Sequence, residues 1–398
     1  MRKLKLGVAG LGRAFTVMLP TLARHPRVQL VAAADPRTEA RSRFAADFGA
    51  RAYASVEELC DDTAVEAIYV ATPHQHHAEH VRMAAAKRKH VLVEKPMALT
   101  LKEGLAMIAA ARTANVQLVV GHSHSFDGPI RRAREIVDSG AVGSVRMITA
   151  LNFTDFLYRP RRPEELRTES GGGVVYNQAA HQIDVVRLLG GGRVRSVRAA
   201  TGSWDPTRPT EGAYTAFLTF EDGAFASVVY SGYAHFDSDE FCGWVGELGR
   251  EKDPGRYGAA RRMLQRASTA EEEALLKNAH TYGGPEYTAR DVSGAAPDPA
   301  SHQHFGLMLV CCERADLRPL PSGVMVYEDF ARRLDPLPKP EVPRTEVIDE
   351  LYHAVVSGRP PVHSGAWALA TMEVCLAILQ SAREQREILL EHQVGLSS

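Results

Sequence analysis

Leu4-Lys5-Leu6-Gly7-Val8-Ala9-Gly10-Leu11-Gly12-Arg13-Ala14-Phe15 opens the chain with a short apolar run, two glycines one residue apart, and a helix-like stretch. The run suits a buried strand. Gly10 and Gly12 allow a tight turn and a close approach of a pyrophosphate to the backbone. The helix that follows, from Arg13 and Ala14, offers unpaired N–H groups and a positive dipole end. Phe15 stands where the third glycine of a GxGxxG fingerprint belongs, so the match is incomplete. Asp35 closes the next apolar run about 20 residues on, where a carboxylate accepts hydrogen bonds from ribose hydroxyls and repels a 2′-phosphate. That favours NAD over NADP. Arg37, two positions later, softens the choice and leaves NADP open. The purely structural alternative makes Asp35 a cap for a helix starting near Thr38.

Outward from this motif the first third alternates strands and helices. Strand-like runs are Leu4–Ala9, Val28–Ala34, Ala67–Ala71, His90–Val93 and Gln117–Gly121; helical patterns cover Thr38–Phe48, His77–Lys87 and Thr100–Ala114, the last opened by a Thr100/Glu103 capping box. Five apolar strands separated by helices predict a doubly wound parallel sheet covered on both faces, with the ligand crevice at the strand carboxyl ends. After Gly121 the pattern becomes Val145–Phe153, Val194–Gly202, Ala213–Phe220 and Ala224–Tyr230, with Glu221-Asp222-Gly223 as a hairpin turn. The expected fold is therefore α/β plus α+β. An N-terminal Rossmann domain over 1–125 precedes a domain over 126–398 built on a large, mainly antiparallel sheet. Residues 250–303 read as a partly helical insertion or mobile loop, and Leu334–Pro343 as an extended segment before closing helices at Thr345–Ser357 and Trp367–Glu384.

Composition bounds the partners. The 398 residues carry a formal net charge of −1, so no global field draws nucleic acid or an anionic membrane. No unbroken apolar run of about 18 residues occurs, so no membrane-spanning helix is expected. Five scattered cysteines without a CxxC pair speak against a disulfide framework and fit a cytoplasmic protein. His74, His76, His77 and His80 lack the acidic context of a metal site and none is assigned; His74 can line the cofactor crevice. Cys311-Cys312 reads as core, and His122 as structural.

Two further stretches carry chemistry. Val93-Glu94-Lys95-Pro96 ends a predicted parallel strand, where Lys95 could hydrogen-bond a substrate hydroxyl and move its proton while Glu94 orients it. The plain alternative is a surface ion pair. Behind Gly171-Gly172-Gly173, a continuous α-helix would align Asn177, His181 and Asp184 on one face. A substrate with several hydroxyls is one partner for such a stripe, and a satisfied helical pair is the other reading.

Together the glycine turn, Glu94-Lys95-Pro96 and the glycine-led helix with His181 and Asp184 resemble the Gfo/Idh/MocA oxidoreductase family. The resemblance implies Lys95 as catalytic, His181 as a catalytic substrate contact, and Thr72 and Pro73 as cofactor contacts. It also implies a homodimer or homotetramer. Many members have aspartate where this chain has Asn177, and an amide holds a hydroxyl but cannot act as a base. Asn152–Pro163 and Asn177–Gln182 look like the branch containing phthalate 4,5-cis-dihydrodiol dehydrogenases. In that loop Arg159, Arg161 and Arg162 could grip a substrate carboxylate. His124, after the last parallel strand, is a further substrate candidate. The expected activity is hydride transfer from a hydroxyl-bearing small molecule to NAD. The alternatives are a sugar or inositol dehydrogenase, and a non-catalytic NAD- or ligand-binding sensor.

Overall fold

The computed structural model describes residues 2–287 and 301–396. They fall into two compact units. The first takes the chain up to His122, residues 274–287 and Val342–Leu369; the second takes Ser123–Glu273, residues 301–341 and residues 370–396.

In the first unit the strands are β1 Leu4–Ala9, β2 Val28–Ala34, β3 Arg51–Tyr53, β4 Ala67–Val70, β5 His90–Val93 and β6 Leu118–Val120. Between them run α1 Arg13–Arg24, α2 Thr38–Phe48, α3 Val56–Asp61, α4 His77–Ala86 and α5 Leu101–Ala114. All pairings are parallel, in the order β3-β2-β1-β4-β5-β6. The sheet has six strands rather than five because three-residue β3 is too short and polar to announce itself. Leu4, Leu6, Val8, Ile68, Val70, Val91 and Val93 are fully buried, as expected for strands covered on both faces. The Thr100/Glu103 capping box is present, and a second one, Ser55/Glu58, starts α3. The order reverses on either side of β1, so the β1/β4 junction is the crevice where such sheets bind ligands.

The second unit contains α6 Gly128–Asp138, β7 Val145–Phe153, α7 Ala180–Leu189, β8 Val194–Gly202, β9 Ala213–Phe220, β10 Phe225–Ser231, α8 Ala259–Leu264, β11 Leu307–Cys312, β12 Asp316–Leu320, β13 Gly323–Tyr327 and β14 Arg332–Pro336. Helix α9, Ala270–Ala279, spans the point at which the chain returns to the first unit. The sheet order is β14-β13-β12-β11-β7-β10-β9-β8-β15, with β15 at Ile388–Leu389. Every pairing is antiparallel except β7 with β10. Along β9, Tyr214, Ala216, Leu218 and Phe220 are buried while Thr215 and Phe217 are exposed, so one sheet face packs on the core and the other is open.

Several expectations need correction. Cys311 and Cys312 are half-buried on β11, whose alternation sends Met308 and Val310 inward instead. Leu334–Pro336 belongs to β14 rather than to an extended linker. Residues 274–287 and 342–369 join the first unit, where a division by sequence position put them in the second. Helix α10, Thr345–Val356, is bound there by the Tyr352 hydroxyl to the Arg2 carbonyl (3.0 Å) and by Arg27 to Asp349 (2.7 Å). Helix α11, Gly365–Glu384, reaches a mean hydropathy of 1.3 over 18 residues, enough by length and composition to cross a membrane. Its small and hydroxyl residues hide this from a search for an unbroken apolar run. Two-thirds of that window is buried (67%), the pattern of a core helix. Of residues 250–303, the described part holds α8 and α9; residues 288–300 lie outside the described residues.

Candidate active site

In the first unit, β1 delivers the chain into the glycine turn. Gly10 has φ +92°, and a Cβ there would lie 2.9 Å from the Ala71 carbonyl oxygen across the β1/β4 crevice, so only glycine fits. A Cβ on Gly12 would meet nothing within 4 Å. That open side, over the α1 N-terminus begun by Arg13 and Ala14, fits a dinucleotide pyrophosphate. Phe15 does not disturb this fit. Its ring is fully buried, 6.1 Å from Phe44 and edge-on to Tyr282 at 5.1 Å. A ring with apolar partners below the turn replaces the close packing that glycine would allow.

Asp35 ends at the predicted place but is differently employed. One carboxylate oxygen accepts the Leu11 N–H (2.8 Å); the other accepts the backbone N–H and Nε of Arg37 (2.9 and 3.0 Å). At the end of β4, Thr72, Pro73 and His74 lead into α4. The His77 ring, fully buried, lies between the carbonyls of Thr72 (2.8 Å) and Pro96 (2.9 Å) and ties the two strand ends together. The sequence sign that marks His77 is its position after Thr72-Pro73, not its neighbouring histidines.

At the end of β5, Glu94 accepts a hydrogen bond from the Tyr69 hydroxyl. Burial raises the Glu94 carboxyl above its ordinary value, against the opposing pull of Tyr69, Lys95, Arg344 and the His122 N–H. Tyr69 and Arg344 are partners that the sequence reading missed. Lys95 follows directly, half-buried, and its bond to Pro96 is cis. The strand end therefore presents an ammonium beside a carboxylate with three further partners, a group suited to orienting a hydroxyl and moving its proton.

In the second unit, Gly171 and Gly173 have φ of +82° and +78°. A Cβ on Gly173 would fall 2.0 Å from the Glu211 carboxylate. Glu211 accepts the Val175 N–H (3.1 Å) and so caps the segment that follows. Val175–Ala179 is a π-helix turn, which passes into α7 at Ala180. The expected α-helical face is therefore broken. The Asn177 amide donates to the carbonyls of Gly171 (3.3 Å) and Gly173 (2.7 Å), while Asp184 is buried and accepts from Ser125 and from Thr371 (2.8 Å). The stripe separates into a loop tie, an imidazole and a buried core network.

His181, half-buried, keeps the company that a site needs. Its ring lies 4.8 Å from that of His124, whose Nδ1 is 2.7 Å from the buried Asp127 carboxylate. Phe305 touches both imidazoles (5.0 and 5.3 Å between centroids) and stacks toward Tyr230 at 6.1 Å. The Tyr230 hydroxyl meets Thr154 (2.9 Å). Phe305 had no sequence signal, because it reaches His181 from another element, and Asp127 bears on His181 only through His124.

The arginine loop divides by role. Arg159 pairs with Asp155 (3.2 Å) and more distantly with Glu247 (3.9 Å). Arg161 is only 9% exposed; its guanidinium lies over the Phe156 ring (3.6 Å) and donates to the Phe156 carbonyl (2.7 Å). Its guanidinium makes no direct ion pair among the described residues: Glu165 supports the charge only through space, Glu273 accepts the backbone N–H (2.6 Å), and Nε has no hydrogen-bond partner. Burial pushes the Arg161 guanidinium down to about 10.

A glycine turn at the switch point of a parallel sheet, opening onto a helix N-terminus, is the arrangement of a dinucleotide-binding unit. Comparison with known proteins agrees. The Gfo/Idh/MocA family model, described as an oxidoreductase family with an NAD-binding Rossmann fold, matches residues 4–122, and the family's C-terminal domain matches residues 130–250. The chain is 47% identical over 383 residues to a 1-carboxy-3-chloro-3,4-dihydroxycyclohexa-1,5-diene dehydrogenase of Comamonas testosteroni, covering 96% of each chain. The crystal structure of a putative dehydrogenase from Bordetella bronchiseptica superposes with a TM-score of 0.91 at 44% identity, covering 98% of this chain and 100% of that one. An aldose–aldose oxidoreductase from Caulobacter crescentus shares the fold at a TM-score of 0.72 and 22% identity, over 98% and 100% of the two chains.

The chain belongs to the Gfo/Idh/MocA oxidoreductase family. It is an NAD-dependent dehydrogenase acting on a hydroxyl group of a small molecule.

Proposed function

We propose that the substrate is a cis-dihydrodiol of an aromatic carboxylate, oxidised at one carbinol carbon. The observation that carries this reading is Arg161, a guanidinium nine-tenths buried that makes no direct ion pair among the described residues and whose Nε has no hydrogen-bond partner. A buried charge without a counter-ion is costly, and a carboxylate-bearing substrate relieves that cost when it binds. The Comamonas relative, whose name specifies a carboxylated dihydroxycyclohexadiene, supports the same class. A neutral sugar or inositol would bring Arg161 no direct ion pair. Arg159, already held by Asp155, is the second and more exposed cation of that loop.

In this reaction Lys95 binds the reacting hydroxyl through Nζ as the neutral amine, accepts its proton and becomes the ammonium. Glu94 orients the ammonium side chain, and His181 holds the second hydroxyl with His124 behind it, oriented by Asp127. Gly10, Gly12, Arg13 and Ala14 would hold the pyrophosphate of the dinucleotide, whose nicotinamide would supply the hydride acceptor. Thr72, Pro73 and His74 line the same crevice. Asn177 supports the site by keeping Gly171 and Gly173 in place. The ketone formed from a cis-dihydrodiol enolises to a catechol, and aromatisation draws the reaction forward. The open sheet face, with Phe217 and Phe225 side by side at 5.6 Å and 46% and 39% exposed, suits a homodimer or homotetramer.

NADH formation tests the reading. Cis-dihydrodiol carboxylates should turn over, the matching diols without a carboxylate only weakly, and inositols and sugars not at all. Arg161→Ala should raise KM for the carboxylate about 10- to 100-fold, the worth of a charge-assisted hydrogen bond. Turnover of an inositol or sugar in preference to every dihydrodiol carboxylate would overturn it.

A further inference from the structure

We infer that the protein carries a second activity: His181, backed by His124 and Asp127, catalyses the enolisation that turns the oxidation product into a catechol. The inference rests on the dihydrodiol reading above and deepens it. Oxidation of one carbinol leaves a ketone whose neighbouring ring carbon still bears a hydroxyl and a hydrogen. The ring becomes aromatic only when that hydrogen leaves as a proton, so a base at the second carbinol has work to do.

The charge behind His181 points to such a base. Its ring packs edge to face on that of His124 at 4.8 Å, and His124 Nδ1 lies 2.7 Å from the Asp127 carboxylate. An ionised carboxylate only accepts, so Nδ1 carries the hydrogen and Nε2 is the accepting nitrogen of that ring. His124 is 4% exposed and Asp127 6%. Holding a neutral hydroxyl requires a donor or an acceptor but no counter-charge, and a carboxylate kept out of water for that task alone is costly. The cost is offset when the imidazole pair takes up a proton, because a positive charge then stands beside Asp127. Neighbouring polar groups of the glycine-led segment are committed elsewhere. Asp184 accepts from Ser125 and Thr371, and the Asn177 amide donates to the Gly171 and Gly173 carbonyls. Phe305, itself buried, lays an apolar ring against both imidazoles.

The step balances without an oxidant or a reductant. His181 takes the hydrogen of the second carbinol carbon as a proton. The electron pair of that C–H bond becomes the last ring double bond, and the carbonyl pair moves onto oxygen. That oxygen takes back the proton that Lys95 accepted during the oxidation, and Lys95 returns to the neutral amine for the next turnover. The His181 imidazolium, its charge balanced by Asp127 through His124, passes its proton to water. His181 is the catalytic residue of this step; His124 and Asp127 are positioning residues.

A single turnover of the full-length protein with NAD tests the inference, with enzyme in excess over the cis-dihydrodiol of benzoate hydroxylated meta and para to its carboxylate. Stopped-flow absorbance follows NADH and the catechol separately. In the wild type the catechol should appear together with NADH, without a lag. Asp127→Asn and His124→Gln should each slow catechol formation about tenfold or more beyond any slowing of NADH formation. Damage to the fold alone would slow both signals alike, and the second variant keeps the test sound if the first disturbs the start of α6. A catechol signal that trails NADH in the wild type, or keeps pace with it in both variants, overturns the inference. The NADH signal separately tests the dihydrodiol reading: if this probe yields none, that reading fails and the enolisation step falls with it.

Discussion

Glu94 shows how one residue draws its chemistry from neighbours distant in sequence. Burial raises its carboxyl, while Tyr69 from β4, Arg344 before α10, the adjacent Lys95 and the His122 N–H pull it back toward ionisation. A carboxyl raised in the folded state holds its proton more tightly there than in the unfolded chain. Its contribution to stability is therefore full below the ordinary carboxyl value and is lost as pH rises through the raised folded value. Tyr69→Phe removes one of the groups that favour the carboxylate. If ionised Glu94 keeps Lys95 in place, the acid limb of the kcat/KM profile should move to higher pH, with fold and KM little changed. A limb that stays put would detach Glu94 from the reaction. Lys95 and His181 were legible as candidates because they sit at motif positions. Tyr69, Asp127, Phe305 and Arg344 were not, because no spacing in the chain connects them to those two.

Among the elements, the glycine-led segment departs most from its expected form. An α-helix from Val174 would set Asn177, His181 and Asp184 on one face; the π turn at Val175–Ala179 changes that phase. The turn is framed by Glu211, which accepts the Val175 N–H, and by Asn177, which donates to the Gly171 and Gly173 carbonyls. The departure from the common family aspartate thus acquires a structural reason: a carboxylate cannot donate to those carbonyls and would face them with negative charge. Asn177→Asp should lower stability by about 1–3 kcal/mol, read as a lower melting temperature at neutral pH. Equal or higher stability would show that the amide is not what holds the loop. The same logic explains Phe15. Its ring finds Phe44 and Tyr282, so the glycine fingerprint is broken in sequence while the turn at Gly10 survives.

At the scale of the whole molecule, each unit is assembled from separate stretches of chain, so position in sequence is a poor guide to membership. Tyr282 and Arg344 lie far from the dinucleotide motif yet belong to its unit, the first through Thr16 and Asp47, the second beside Glu94. The large sheet leaves one face open, and Phe217 and Phe225 project there from β9 and β10. Monomeric proteins seldom leave such apolar faces uncovered. Replacing both phenylalanines by lysine should shift the molar mass seen by light scattering toward the monomer, with NADH affinity within about threefold of wild type. A wild-type protein already monomeric at micromolar concentration would refute the proposed assembly.

Strand periodicity, the Gly10/Gly12 turn and the lysine before Pro96 were determined by sequence alone, because they depend on local backbone geometry and on the burial of alternating layers. Tertiary structure alone decided that Asp35 is consumed by Arg37, that Asp184 belongs to a buried network, and that the Arg161 guanidinium is buried without a direct ion pair. Those outcomes depend on which hydrogen-bond partners and charges the folded chain brings together, and neither periodicity nor motif spacing records such pairings.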